Sequence, residues 1–410
     1  MYKVLINAYS VSPGRGSEPG MGWNWVVNLA RYCELHIITE GEWRDKIEAE
    51  LPLLPHGDNM HFYYNEMPEN GREMSRNQGD WRFYLHYAAW QRKTYRMALD
   101  IIESQKIDII HQLNMIGYRE PGYLWQIKDI PFVWGPTGGN VLFPTAFLKG
   151  VDTETRLKVR LKNIINSLQS KFHIRVHKAI KRADALLAAT SQTEKWLKEY
   201  KKENLYCINE TGCHVNDICK IYKPDKETFD IIWAGRFLFS KQLNLALDTI
   251  ARLKDLKGLR LHILGSGDDK TVEDYKKQAG QLGINHLCVW HGLVSQKEVF
   301  SLMSDSDLFF FPSLIEGTPH VVLEALQHKL PVLCFDCCGQ GDVVNDKVGR
   351  KVKMTTPEQS VEEFAGHIKD LYGDRNLLSK LSRNSMERQE ELSWDSKARE
   401  VLGIYRKLLG

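Results

Sequence analysis

The feature that most constrains the fold is an alternation of strand-like and helix-like segments that runs through the first half of the chain and starts again in the second. In the first half, the apolar runs Lys3–Ala8 and Glu34–Thr39 flank a helix-like segment from Trp23 to Tyr32. In the second half, the strand-like runs include Phe229–Ala234 and Leu308–Phe311. Such alternation is typical of a parallel sheet covered by helices on both faces. The sequence therefore predicts an α/β fold with two Rossmann-like, doubly wound domains.

Chain length and turn chemistry indicate the domain boundaries. A chain of 410 residues is longer than one compact core usually holds. Residues 207–228 contain Gly212, Pro224 and many polar side chains, which is typical of a linker. We therefore predict an N-terminal domain over 1–206, a linker over 207–228, a C-terminal domain over 229–390 and a final helix within 391–410.

Composition excludes several classes of protein. Hydrophobic residues at 43% and charged residues at 26% are ordinary globular values, which excludes a disordered or fibrous chain. No apolar run approaches the roughly 18 residues of a membrane-spanning helix, and the N-terminus lacks the apolar core of a signal peptide. The eight cysteines form no paired C-x-x-C sets with matching histidines, so we expect reduced thiols and no metal site. We expect a cytoplasmic protein with no nucleic-acid partner, since no recognition module is visible.

The most informative stretch for function is 311–326, which carries two glutamates. Thr318 is the predicted N-cap of a helix and Pro319 suits its first position. Free backbone N–H groups at such a helix end suit an anion such as a diphosphate. Glu316 lies in the loop just before the helix, and Glu324 is the only charge in an apolar part of it.

Glu324 has two interpretations. A carboxylate in this position suits two vicinal hydroxyls, such as those of a ribose, because each hydroxyl can donate a hydrogen bond to it. The alternative is a structural ion pair or a charge that stabilises the helix N-terminus. We favour the first interpretation because burying an unpaired glutamate is costly.

A second candidate cluster is the stretch Gly235, Arg236 and Lys241, which follows the first strand of the second domain. Arg236 can bind phosphate oxygens in a forked geometry, and Lys241 adds a point charge. Together they could neutralise a diphosphate leaving group. Alone, a loop lysine is usually a solvated charge, so this prediction depends on the neighbouring glutamate segment.

These motifs resemble glycosyltransferase family 4, the retaining enzymes of the GT-B fold, in which two Rossmann-like domains face each other across a cleft. Pro312–Ala325 reproduces the glutamate signature of that family, and Gly235, Arg236 and Lys241 match its G-R…K element. The resemblance is strong over 229–410 and looser over the first half. Around His111 and Gly135–Gly139 the sequence is similar to family members that are associated with bacterial polysaccharide assembly.

The resemblance implies a reaction and a role for each motif residue. The reaction is transfer of a hexose or N-acetylhexosamine, with retention, from a nucleotide diphosphate sugar to a glycan or lipid-linked saccharide. No metal or other cofactor is implied, because two cations and a helix end neutralise the diphosphate. Arg236 and Lys241 would contact that diphosphate, and Glu316 would contact the transferred sugar. The residues implied in donor binding are Glu324, Gly16, Gly235, Gly317, Thr318, Pro319, His320 and Val321.

The implied domain roles are an acceptor side in the N-terminal domain and a nucleotide-sugar site in the C-terminal domain. The final helix would fold back across the cleft. His320, next to the sugar-contacting loop, is expected to affect the choice of donor.

Two positions depart from the family pattern. Many relatives have glycine where this chain has Gln242, which is expected to alter the loop around the diphosphate. Many also carry a pocket histidine where this chain has Leu113. His111 lies two residues earlier, and it is either a catalytic group that orients the acceptor or a hydrogen-bonded histidine of the core.

Two glycine-rich turns follow strands of the N-terminal domain. The first contains Gly16 and resembles the family loop near the donor phosphates; the second is Gly135–Gly139. Glycine lets a backbone approach a ligand closely, so we predict that both turns line the cleft. Plain loop geometry is the alternative.

The acceptor side is predicted from two basic stretches. Residues 72–96 mix arginines with aromatic residues, and 153–182 is a basic helical pattern with regularly spaced aliphatic residues. Both could dock on the inner face of the cell membrane and reach a lipid-linked acceptor. The alternative is that both are ordinary amphipathic helices.

Rival functions make different demands on the sequence. A sugar-nucleotide epimerase on the same fold needs acid and base residues near the anomeric carbon, and no such set is visible. A catalytically silent GT-B subunit that binds a partner transferase would have no reason to keep the two glutamates and two cations together. A dehydrogenase is disfavoured because Gly265–Asp269 lacks the third glycine of the dinucleotide fingerprint.

Overall fold

The structure is a computed structural model that describes residues 1–76, 81–115, 117–149, 151–215 and 226–410. These residues belong to two compact units. Unit 1 comprises Met1–Val141, Ile164–Thr211 and Trp394–Gly410, and unit 2 comprises Leu142–Asn163 and Gly212–Ser393.

Unit 1 is built on a seven-stranded parallel sheet. Its strands are β1 (Tyr2–Ala8), β2 (Cys33–Thr39), β3 (Met60–Tyr64), β4 (Ile109–Asn114), β5 (Phe132–Thr137), β6 (Ala185–Ala188) and β7 (Leu205–Cys207). They are ordered β3-β2-β1-β4-β5-β6-β7. The helices in this part of the chain are α1 (Ser17–Leu29), α2 (Arg44–Glu50), α3 (Glu69–Arg76), α4 (Phe83–Gln105), α5 (Thr153–Phe172), α6 (Ile174–Arg182) and α7 (Ser191–Leu197). The first half of α5, up to Asn163, is assigned to unit 2 and the second half to unit 1.

The strands of unit 1 are apolar on both faces because side chains alternate across a sheet that is covered on both sides. Val4 and Ile6 of β1 belong to one buried cluster, whereas Leu5 between them belongs to another. All three are fully buried. The near-continuous apolar run of β1 is therefore what a central parallel strand requires.

Unit 2 is built on a six-stranded parallel sheet. Its strands are β8 (Phe229–Ala234), β9 (Leu259–Leu264), β10 (Cys288–Gly292), β11 (Leu308–Phe311), β12 (Val332–Phe335) and β13 (Gly349–Val352). They are ordered β10-β9-β8-β11-β12-β13. The helices are α8 (Leu243–Ala251), α9 (Asp269–Gln281), α10 (Gln296–Asp305), α11 (His320–Gln327), α12 (Cys338–Val343), α13 (Pro357–Gly373) and α14 (Arg375–Glu391).

In both units the first strand in sequence lies in the middle of its sheet, and strand order reverses beside it. This is the topology of doubly wound α/β sheets, in which ligands bind at the carboxyl ends of the strands near the reversal. The predicted pair of Rossmann-like domains is confirmed.

The segment 142–163 belongs to unit 2, whereas we predicted it within the N-terminal domain. Phe143 stacks on Phe239 with ring centroids 5.8 Å apart, and Phe147 packs edge-to-face on Phe335 at 5.6 Å. These aromatic contacts anchor the segment, and neither can be derived from local sequence. Of the predicted linker, 216–225 lies outside the described residues.

The last helix, α15 (Trp394–Leu409), is part of unit 1. Trp394 packs edge-to-face on Trp25 of α1 with centroids 5.7 Å apart, and Tyr405 is fully buried. The chain therefore completes the core of its first unit with its last helix. Of the described helices, none is long and apolar enough to cross a membrane.

Candidate functional site

The predicted residues of unit 2 lie beyond the carboxyl ends of two adjacent strands. Arg236 and Lys241 follow β8, and Glu316 follows β11, its neighbour in the sheet. Strand order reverses at β8, so both loops border the crevice where open α/β sheets bind ligands.

Lys241 and Glu316 form an ion pair through Lys241 Nζ and Glu316 Oε2. Their side chains are 20% and 21% exposed, so the pair is accessible from solvent. Lys241 Nζ also lies 5.3 Å from the centroid of the Phe311 ring. The backbones of the two loops are joined as well, because Leu314 N donates to Ser240 O at 2.9 Å. The two predicted motifs are thus fixed side by side.

Arg236 is exposed in the same segment after β8 that carries Lys241, and no ion pair of Arg236 occurs among the described residues. Its neighbour Gly235 is held by Gly265, which lies in the loop after β9. A Cβ at Gly265 would lie 1.9 Å from Gly235 O, and Gly265 has φ +124°. Glycine is required at position 265 for the two loops to approach. The geometry leaves a guanidinium and an ammonium on one edge, which suits a multiply charged anion.

The helix after Glu316 begins one residue later than predicted. Pro319 is the N-cap, His320 is the first helical residue, and no side chain caps the helix. Thr318 is therefore not the N-cap; its carbonyl instead accepts from His320 N at 2.9 Å. Val322 N also donates, to Pro319 O at 3.0 Å, so among the described first-turn groups Val321 N is the candidate donor to an anion. Val321 follows in the first turn of α11 and is half-buried.

Gly317 and Pro319 rest against Gly339 at the start of α12. Gly339 N donates to Glu316 O at 2.9 Å. A Cβ at Gly339 would lie 2.6 Å from Gly317 O and 2.7 Å from Pro319 Cδ. Gly339 thus supports the loop that carries Glu316. Sequence reasoning missed it, although its position just after a buried strand was a signal.

Glu324 is half-buried in α11, and its carboxylate hydrogen-bonds to the Gln296 side chain. No ion pair of Glu324 occurs in the described part of the chain, so the structural ion-pair alternative is not supported there. Burial raises the pKa of Glu324, and burial lowers the pKa of His320 in the same helix. A ligand that donates hydrogen bonds to Glu324 would stabilise its ionised form.

Gln242 has φ +53°, in the left-handed region that glycine adopts without steric cost. It is buried, and its side-chain amide donates to Phe239 O at 2.8 Å. The departure from the family pattern thus lies at the one-residue joint between the turn Phe239–Lys241 and α8.

His111 is a buried histidine of the unit 1 core. Its Nε2 lies 2.6 Å from Gly135 O and its Nδ1 lies 2.5 Å from the Tyr405 hydroxyl. A carbonyl oxygen only accepts, so Nε2 carries the proton and the Tyr405 hydroxyl donates to Nδ1. Burial lowers the pKa of His111 to about 4. With both nitrogens bonded and no exposed surface, His111 fits the interpretation as a hydrogen-bonded histidine of the core.

The glycine turns of unit 1 have mainly steric roles. Gly16 is the exposed N-cap of α1, and a Cβ there would meet nothing within 4 Å. Gly20 and Gly22 allow α1 to pack tightly on this turn, because a Cβ would lie 1.8 Å from Arg15 O and 2.3 Å from Ser10 O, respectively. Gly135 lies within β5 and not in the predicted turn; it has φ +129°, and a Cβ there would lie 2.2 Å from Leu187 O of β6, so backbone conformation and strand packing explain that glycine.

The aromatic residues of 72–96 divide between core and surface, and 77–80 lie outside the described residues. Phe83, Tyr87 and Trp90 pack around Tyr9 in a buried cluster, as the ordinary-helix interpretation predicts. Trp81 is 70% exposed.

One set of described side chains could hold a metal ion: Glu34, His36 and His61, whose ligand atoms lie within 4.8 Å of one another. Glu34 and His61 are the second residues of β2 and β3, and His36 is in the middle of β2, so the set lies on the strands and not in the loops that follow them. Lys3 Nζ already lies 3.2 Å from Glu34 Oε1. This set has no part in the site described above.

The model of the family described as Glycosyl transferases group 1 matches residues 216–388. A lipopolysaccharide 1,6-galactosyltransferase of Salmonella typhimurium is 27% identical over 175 residues, which cover 38% of this chain and 46% of that protein. The chain spans less than half the length of the first curated relatives that it matches.

Solved structures match the whole chain. The lipopolysaccharide outer core galactosyltransferase WaaB in its apo form covers 99% of both chains with a TM-score of 0.65 and 14% identity. The Anabaena protein Alr3699/HepE in complex with UDP covers 99% of this chain and 100% of its own, with a TM-score of 0.62 and 14% identity. At such identities the likeness concerns the fold, and it confirms the predicted GT-B class.

Proposed function

We propose that this chain, whose residues 216–388 match the model of the family described as Glycosyl transferases group 1, is a retaining glycosyltransferase of glycoconjugate or polysaccharide biosynthesis. It moves a hexose or N-acetylhexosamine from a nucleotide diphosphate sugar to a glycan or lipid-linked saccharide. The observation that carries the proposal is the accessible Lys241–Glu316 ion pair at the carboxyl ends of β8 and β11, with the exposed Arg236 in the same segment as Lys241.

The cations act on the leaving group. As the bond between the anomeric carbon and the diphosphate oxygen breaks, negative charge develops on the diphosphate. Arg236, Lys241 and the uncapped end of α11 stabilise that charge, which preorganised cations and N–H groups do well in a crevice. A metal ion is then not needed for neutralisation, and the absence of a cofactor stays part of the proposal.

Glu316 changes partner when the donor binds. Lys241 then pairs with the diphosphate in place of Glu316. The released Glu316 carboxylate accepts hydrogen bonds from hydroxyls of the transferred sugar. The acceptor oxygen forms its bond to the anomeric carbon on the face that the diphosphate leaves. The acceptor proton passes to a departing phosphate oxygen, so configuration is retained and no separate base is required.

Glu324 binds the nucleoside part of the donor. Two ribose hydroxyls donate to its carboxylate, which offsets the burial that raises the pKa of Glu324. The UDP in the structure of Alr3699/HepE supports uridine nucleotides as the first donors to test. The galactosyltransferase of Salmonella supports a hexose as the transferred group.

The test is a transfer assay with UDP-hexoses and UDP-N-acetylhexosamines on octyl glycoside acceptors, with product configuration read by proton NMR. We expect an α-linked product from an α-linked donor, at a rate that excess EDTA leaves unchanged. A product of inverted configuration would refute the retaining mechanism. Loss of transfer with EDTA, restored by a divalent ion, would refute metal independence.

A further inference from the structure

A row of exposed apolar side chains runs along one face of α5. The row consists of Leu157, Leu161, Ile164, Ile165, Leu168 and Phe172, which are between 44% and 70% exposed. Their three- and four-residue spacing places them within an arc of about 100° around the helix. No residue of α5 is buried, so this apolar face is turned away from any core.

The polar face of α5 is the one that contacts the protein. Asn163 exchanges two hydrogen bonds with the Phe143 backbone, at 2.8 and 2.9 Å. Asn166 Oδ1 and Gln169 Oε1 accept from the Arg119 guanidinium at 2.7 and 2.8 Å. These bonds fix the rotation of the helix, and they hold the apolar row toward solvent.

Basic side chains border the apolar row on both sides. Lys158 and Lys162 lie along one border, and Arg160 and Lys171 along the other; all four are exposed. The acidic Glu154 pairs with Lys158 at 2.5 Å. Lysine and arginine in such positions keep their charges at lipid headgroups while their stems lie along the hydrocarbon. A second copy of α5 would carry the same positive charges and be repelled by them, whereas anionic lipid headgroups attract these basic side chains.

We propose that α5 is a peripheral membrane anchor that lies in the plane of an anionic lipid surface, with its apolar row in the hydrocarbon and its basic borders at the headgroups. Its 20 residues are apolar on one face only, which suits lying in the interface and not spanning it. This inference does not depend on the proposed transfer reaction, since lipid binding requires no nucleotide.

The test is cosedimentation of the full chain with vesicles of phosphatidylcholine alone or mixed with phosphatidylglycerol. We expect binding to the anionic vesicles that weakens with added salt. A variant with Leu161→Gln, Ile164→Gln and Leu168→Gln should bind on the order of 100-fold more weakly. A variant with Lys158→Gln, Arg160→Gln and Lys162→Gln should lose roughly 100-fold on anionic vesicles.

The matched control is Leu53→Gln with Leu293→Gln, two side chains that are 75% and 85% exposed outside α5. It should bind vesicles like the wild type, and all variants should unfold at the wild-type midpoint. Equal binding of both α5 variants and the wild type, or no binding of the wild type, would overturn the proposal. A wild-type dimer that becomes monomeric in the Leu161/Ile164/Leu168 variant would also overturn it, by assigning this face to a second copy.

Discussion

The two glutamates of the candidate site differ in their surroundings and therefore in their expected roles. Glu316 is paired with Lys241 in a loop, whereas Glu324 is half-buried in α11 and bonded to Gln296. Their motif was visible in the sequence, because an isolated charge in an apolar run and a proline-led helix are local signals. The ion pair was not, since it joins loops 75 positions apart.

Truncating each glutamate should separate nucleotide binding from transfer. Glu324→Ala should weaken nucleotide binding by about 1.5–3 kcal/mol, because charge-assisted hydrogen bonds to the ribose are lost. Glu316→Ala should lower transfer at least about 100-fold and change nucleotide binding much less. Calorimetric titration and transfer kinetics measure the two effects. Glu273→Ala, at an exposed position of α9, is the control; transfer at the wild-type rate in both site variants would refute the assignment.

His111 should make stability, and not catalysis, depend on pH. Its folded pKa of about 4 lies below the ordinary value of about 6.5, so the unfolded chain binds the proton first as pH falls. The stabilising contribution is present above pH 6.5 and is lost between about 6.5 and 4, by on the order of a few kcal/mol. Denaturant unfolding at several pH values should show this loss in the wild type.

A substitution at His111 supplies the control for that experiment. His111→Gln should lower stability at pH 7 and flatten the loss between pH 6.5 and 4, while transfer per folded molecule is kept. A stable variant that unfolds normally but transfers no sugar would restore the catalytic interpretation. Sequence alone left both interpretations open because the partner Tyr405 lies 294 positions away.

At the scale of elements, the site depends on how the loop 316–319 is seated on α12. Gly339→Ala should push the loop 316–319 away from α12, because the new Cβ would lie 2.6 Å from Gly317 O. We expect a loss of about 1–3 kcal/mol of stability and weaker nucleotide binding. Gly366→Ala in α13 is the matched control, since a Cβ there meets nothing within 4 Å and alanine favours a helix. Equal nucleotide binding by both variants would contradict this account of the loop.

Whether a segment forms a helix or a strand was predictable where its hydrophobic periodicity is strong. Which of the two units a segment belongs to was not predictable. The buried strands were predicted directly from their apolar runs in the sequence. The beginning of α11 was misplaced by one residue because Pro319 takes a non-helical backbone conformation, with ψ 57°. The segment 142–163 is placed in unit 2 by contacts of Phe143 and Phe147 with the rings of Phe239 and Phe335. These partners are far away in sequence, so no local pattern predicts the contacts.

At the scale of the whole molecule, the two doubly wound sheets differ in the residues found at the carboxyl ends of their strands. The loops after β8 and β11 gather the cations and carboxylates of the proposed donor site. The carboxyl edge of unit 1 holds histidine and glycine residues that the structure explains by packing. The fold class was predictable because strand–helix alternation repeats in both halves. The residues of the proposed donor site were visible as candidates because each of the two motifs is a short contiguous stretch of sequence.

The measurement that tests the central claim most directly is thermal unfolding with UDP, GDP or ADP in the wild type, Lys241→Ala and the control Lys254→Ala, whose lysine is exposed elsewhere in unit 2. A nucleotide at about 100 times its Kd adds roughly 2.7 kcal/mol, which is visible as a raised midpoint. We predict a raised midpoint with one nucleotide in the wild type and Lys254→Ala, and its loss in Lys241→Ala. An undiminished shift in Lys241→Ala, or none with any nucleotide in the wild type, would contradict the proposed donor site.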